Sequence, residues 1–179
     1  MATKSAPKST DAIALLKADH RAVEALFAQY EKAKDSKRKK SLAGQICLEL
    51  TVHTKIEEDI FYPACKDEID DGLWHEAYVE HDGAKVMLAE IEAGNPGDEF
   101  YDAKVKVLSE EIEHHVEEEE KRVEGMFSQA RKAGLDMDAL GAKMAAEKAQ
   151  LKASYKSSGV PTPETPTLTA TTLGQPAHG

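Results

Sequence analysis

Two stretches of the chain repeat one chemical arrangement. His53-Thr-Lys-Ile-Glu57 and His115-Val-Glu-Glu-Glu119 each place a histidine four residues before a glutamate. On a helix that spacing stacks both side chains on one face, where they can reach the same point. A single histidine precedes each pair, His20 lying 33 positions before His53 and His81 lying 34 before His115. One helical hairpin thus occurs twice, each copy offering His and then His-x-x-x-Glu. Four imidazoles and two carboxylates around a common cavity suit two metal ions bridged by the carboxylates.

All six residues interrupt lines that are otherwise apolar. The first line is Ile13, Leu16, His20, Val23, Phe27 and Tyr30; the second is Leu42, Ile46, Leu50, His53, Glu57 and Phe61. The third is Trp74, Tyr78, His81, Leu88 and Ile91, and the fourth runs from Tyr101 through Leu108, Ile112, His115, Glu119 and Val123 to Met126. A lone histidine on such a face is commonly a satisfied core residue. Four of them with two buried carboxylates need compensating positive charge, because an unpaired buried carboxylate is costly. No Lys or Arg lies on these lines, so a bound cation is the simplest source.

The stretch EHHVEEEE, residues 113–120, holds two histidines, and its flanks decide between them. Helical steps from His115 meet Leu108, Ile112 and Val123, whereas steps from His114 meet Val107, Glu111 and Arg122. His115 with Glu119 is the inward pair, and His114 and Glu118 are outer candidates. Glu117 and Glu120 read as a solvated face, either of them within reach of a ligand histidine. Other chemistries fare poorly. Only Glu111 to His114 matches the Glu-x-x-His spacing of ferritin-like di-iron bundles, and His75-Glu-Ala-Tyr-Val lacks the second histidine of a zincin helix. No phosphate-cradling glycine loop or local nucleophile triad is present, so no catalytic residue is assigned.

These residues must be carried by long helices, since the apolar spacing is helical throughout and turn signals separate the runs. The spacing predicts helices over about 11–34, 38–62, 73–93 and 98–132, with Thr10 or Asp11 as the first cap and Pro63 ending the second. The expected fold class is all-α: an antiparallel up-down-up-down four-helix bundle over 11–133, with a short extra C-terminal helix within 134–156. Residues 1–10 read as a flexible N-terminus, and the Pro- and Thr-rich segment 157–179 as a disordered tail. The basic run Lys37-Arg38-Lys39-Lys40 reads as a solvated helix start.

With 179 residues and 41% hydrophobic content, the chain supports one domain. The formal net charge of -10 offers no general attraction for nucleic acid or an anionic membrane. No apolar run is long enough to span a bilayer, and no secretory leader is evident, so the cytoplasm is the expected compartment. The two cysteines, Cys47 and Cys65, form no CxxC pair and read as structural thiols.

In the segments ADHRAVEALF around His20, HTKIEEDIFYP from His53, VEHDGAKVMLAEIE around His81 and HHVEEEE, the sequence resembles the bacterial hemerythrin family, the HHE cation-binding domain. The resemblance spans roughly 11–130. It implies a carboxylate-bridged non-haem centre of two Fe ions, with His20 and His53 on one, His81 and His115 on the other, and Glu57 and Glu119 shared. Ligand type alone also admits Mn or Zn. The expected function is to bind or sense dioxygen, nitric oxide or iron, with dioxygen, nitric oxide or peroxide as the small-molecule partner and the redox partner unknown. The alternatives are a di-iron enzyme of catalase-like or ferroxidase activity and a metal-free helical interaction bundle. Oxygen-carrying members have a fifth histidine four residues from the one on helix three. Here those positions are Ala77 and Lys85, which speaks against pure oxygen carriage. Two residues could substitute: Tyr78, which otherwise reads as an aromatic core residue, and Glu24, which otherwise lies at a helix edge.

Overall fold

The structure, a computed structural model, describes residues 11–168. The expected flexible residues 1–10 and the tail from 169 onward lie outside the described residues. Seven α-helical segments follow one another: α1 Ala12–Lys32, α2 Ser36–Ile56, α3 Tyr62–Cys65, α4 Asp71–Ala93, α5 Tyr101–Glu120, α6 Met126–Lys132 and α7 Met137–Ser158. A π-helical turn, Glu57–Phe61, joins α2 to α3. No strand occurs among the described residues.

Helices α1, α2, α4 and α5 form the four-helix bundle, each packing on its neighbours in turn. Short connections force consecutive helices to run antiparallel. Local chemistry starts them: Asp11, Asp35 and Asp70 each accept a hydrogen bond from a first-turn amide of α1, α2 and α4. The basic run proves to be a clamp. Lys39 pairs with Asp102 at 2.5 Å, and Lys40 Nζ donates to the carbonyls of Glu92 and Gly94, tying the start of α2 to the α4–α5 turn.

The apolar core divides into two clusters, one containing Val23, Leu50, Ala84 and Ile112, the other Leu16, Ile56, Ala77 and Met126. On α1, α2 and α4 a histidine falls between a member of one cluster and a member of the other. The buried polar groups therefore form one layer across the bundle with apolar packing above and below, which keeps bulk water out.

Two helix boundaries differ from expectation. The path of the second helix continues past Pro63 to Cys65, because the preceding π turn widens the backbone where proline lacks a donor. The fourth helix stops at Glu120 instead of running to 132. The chain turns over 121–125 and restarts as α6. Gly125 permits this: a Cβ there would meet Lys121 N and O at 2.6 Å. Val123, expected inward, is accordingly exposed.

The extra helix is longer than expected and packs along α1 and α2, burying Met137 and Met144 in the second apolar cluster. Its end at Gly159, with φ +84, redirects the chain. Of the segment expected as a disordered tail, residues 159–168 lie beside α4, where Thr167 donates from N and Oγ1 to Asp82 Oδ2 at 2.6 and 2.7 Å. Three prolines, Pro161, Pro163 and Pro166, each fix a backbone φ along it.

Candidate metal centre

His20, His53, Glu57, His81, His115 and Glu119 are all buried, none exposed beyond 4%. The structure draws them into two adjoining groups. His20, His53, Glu57 and Glu119 share one point, and Glu57, His81 and His115 share the next. The Nε2 atoms of His20 and His53 are 3.2 Å apart, as are those of His81 and His115. Glu57 Oε2 lies 3.1 Å from His53 Nε2 and 3.3 Å from His81 Nε2, so this carboxylate spans both groups. Glu119 does the same from the opposite side, at 3.3 Å from His20 Nε2 and 3.7 Å from His115 Nε2.

Three of the four imidazoles are oriented from behind by an acid. His20 Nδ1 donates to Glu120 at 2.8 Å, His81 Nδ1 to Glu58 at 3.0 Å, and His115 Nδ1 to Glu80 at 2.7 Å. His53 Nδ1 faces Asp19 at 3.7 Å. A carboxylate only accepts, so the three hydrogen bonds place a proton on Nδ1 of His20, His81 and His115 and turn each Nε2 into the layer, while His53 Nδ1 is buried without a hydrogen-bond partner. Four Nε2 atoms and two carboxylates then converge in one buried layer. Glu57 Oε1 and Glu119 Oε2 are buried without a hydrogen-bond partner. An acceptor-rich buried set of this kind fits a cation.

The electrostatics agree. Burial, reinforced by the Glu119 charge, pushes the Glu57 carboxyl well above the usual range. Burial also pushes His53 down, to about 4, against the opposing pull of Asp19. The layer therefore resists positive imidazole at His53 and resists two ionised carboxylates at once. A metal cation relieves both constraints, because it is what neutral imidazoles and paired carboxylates can share.

Tyr62 was not singled out from sequence. Its buried hydroxyl donates to Glu119 Oε1 at 3.0 Å and lies 3.1 Å from His81 Nε2 and 3.4 Å from both His115 Nε2 and Glu57 Oε2. It is a hydroxyl in contact with both glutamates. In an unbroken α-helix a residue five positions after Glu57 would point about 140° away. The π turn, closed by the Tyr62 amide on the Glu57 carbonyl, returns it to the same face.

The remaining candidates lie elsewhere. The Tyr78 hydroxyl reaches the Glu58 carbonyl at 3.5 Å, and its ring packs on Tyr62 and Trp74. Glu24 is exposed and pairs with Arg21. His114 is exposed, 3.5 Å from Glu80, and Glu118 pairs with Lys121 on the surface. Ala77 is buried apolar packing, and Lys85 is held by Glu58 and Asp82. Cys47 and Cys65 are buried free thiols, each pushed up to about 12 by burial.

More distant elements complete the setting. Phe127, carried back by α6, stacks on His20 with ring centroids 5.9 Å apart. Lys148 of α7 pairs with Asp19, the acid behind His53. Neither contact has a local signal in sequence, since each joins positions more than 100 residues apart.

The chain matches the hemerythrin HHE cation binding domain over residues 11–127, and it belongs to that family. The domain is one that binds metal cations, and the His and Glu groups of the layer fit a metal site. The fold is shared with a hemerythrin HHE cation binding domain-containing protein from Mycobacterium kansasii, whose crystal structure superposes with a TM-score of 0.71 at 24% identity, covering 84% of this chain and 94% of that one. A DNA nickase from Nostoc sp. is 29% identical over 106 residues, 59% of this chain. The match spans 30% of that relative's length.

Proposed function

We propose that this protein is a non-haem di-iron protein that binds or senses a small diatomic or peroxide ligand. His20, His53, His81 and His115 would hold the two ions, with Glu57 and Glu119 shared between them. The observation that carries this reading is the convergence of four buried Nε2 atoms on two carboxylates that each reach both groups, with His20, His81 and His115 each hydrogen-bonded to an acid through Nδ1. Two iron ions held there would supply a redox-active Lewis acid with coordination positions open to a small ligand.

The chain's own residues define what such a ligand meets. The two apolar clusters exclude bulk water from the layer. Tyr62 donates its hydroxyl proton to Glu119 Oε1, with 3.0 Å between the two oxygens. A proton donor inside the layer favours, as a second reading, a peroxide-decomposing enzyme, since breaking an oxygen–oxygen bond requires protons to be delivered to the leaving oxygen. The nickase likeness is not extended to this chain. It covers less than a third of that protein, and a net charge of -10 provides no field for phosphates.

The test is elemental analysis of protein purified without added metal, with an absorption spectrum before and after peroxide. About two irons per chain, lost in His53→Ala and Glu119→Gln, is the expected result. Metal content that neither substitution changes would overturn the assignment. Gas evolution under peroxide, reduced in Tyr62→Phe at equal iron content, would favour the enzyme.

A further inference from the structure

A cavity of about 690 Å³ lies outside the polar layer, between α2, α4 and the segment Val160–Pro166. Its size falls in the range of small-molecule sites. Leu88, Ala89 and three prolines give it apolar walls, and Tyr78 and Tyr155 face it with aromatic rings. Its charged groups comprise two lysines and four carboxylates, so it has no excess positive charge for an anion. Both lysines are already engaged, Lys55 with Asp59 at 2.8 Å and Lys85 with Glu58 at 2.7 Å and Asp82 at 2.9 Å.

The outer wall is latched in place. Thr167 grips Asp82 with two hydrogen bonds, Asp82 holds Lys85, Lys85 holds Glu58, and Glu58 accepts from His81 Nδ1. A molecule in the cavity would therefore rest against Glu58, the acid behind His81. Gly159, at φ +84, turns the chain from the end of α7 into this wall.

We propose that this cavity is a binding site for an uncharged, largely apolar aromatic molecule, with residues 159–168 as its outer wall. The neutral fluorophore N-phenyl-1-naphthylamine is a suitable probe, titrated into the protein as purified. Saturable binding at one site per chain is expected, with 8-anilinonaphthalene-1-sulfonate, a close analogue carrying a negative charge, at least about tenfold weaker. Ala89→Phe fills the cavity, and a chain ending at Ser158 removes its wall. Each should weaken the neutral probe by about tenfold or more, with circular dichroism confirming an intact bundle. If the shortened chain fails to fold, Thr167→Val, which removes the side-chain half of the latch and keeps the backbone hydrogen bond to Asp82, should raise the probe's dissociation rate severalfold, and an unchanged rate would overturn the proposal. Smaller effects of Ala89→Phe and wall removal, or equal affinity for the two probes, would overturn the proposal.

Discussion

Tyr62 lies five residues after Glu57, yet its hydroxyl sits 3.4 Å from Glu57 Oε2 and donates to Glu119 across the bundle. The π turn makes this possible by taking one extra residue into a single turn. It thereby adds a hydroxyl donor in contact with both glutamates.

Tyr62→Phe removes that donor and leaves Glu119 Oε1 with fewer partners. The metal-free protein should lose about 1–3 kcal/mol of stability, the usual cost of an unsatisfied buried polar group. The metal-loaded protein should lose less, because a cation takes over the carboxylates. Urea unfolding of both forms measures the difference, and an equal loss in the two would contradict this account.

Glu57→Gln separates stability from binding. The substitution removes one of two carboxylates that burial and mutual repulsion set against each other. Melting of the metal-free form should rise, while the increase on adding ferrous iron should vanish. In the unaltered chain that increase reflects binding to the folded state, about 4 kcal/mol at a thousandfold excess over Kd. Calorimetry with and without iron checks both signs.

Lys148→Ala leaves Asp19 without its cation while keeping every proposed ligand. Groups that orient a ligand histidine typically change metal affinity by about 10–100-fold. Asp19 lies 3.7 Å from His53 Nδ1, so the lower end of that range is expected. Competition against a chelator gives the affinity. No change would mean that α7 supports the fold alone.

Gly125→Ala forces a Cβ to within 2.6 Å of Lys121 backbone. The turn must open, at about 1–3 kcal/mol as in other overpacked sites, and Phe127 must leave its stack on His20. A lower melting temperature with weakened metal retention is expected. Met144→Ala offers a comparison: it should cost about 2–5 kcal/mol as a buried cavity mutation, with metal retained.

The buried layer was legible in sequence because it depends on helical periodicity alone. His53 with Glu57 and His115 with Glu119 are local pairs, and the apolar residues seven and three positions before each histidine mark which face turns inward. His115 was separated from His114 on those preceding residues, Leu108 and Ile112. The following residue, Val123, misled, because the helix ends at Glu120 and Val123 is exposed.

What only the tertiary structure decided has a common physical cause. Tyr62 enters the layer through a backbone turn that no α-helical count anticipates. Glu58, Glu80, Asp19, Lys148 and Phe127 act on histidines of other helices, and their roles depend on which elements pack together. The wall over 159–168 buries little of its own, yet Asp82 supplies the acceptor that positions it. Periodicity determines which face of a helix is buried; the partners that orient each buried group come from contacts distant in the chain, and those exist only once the bundle has assembled.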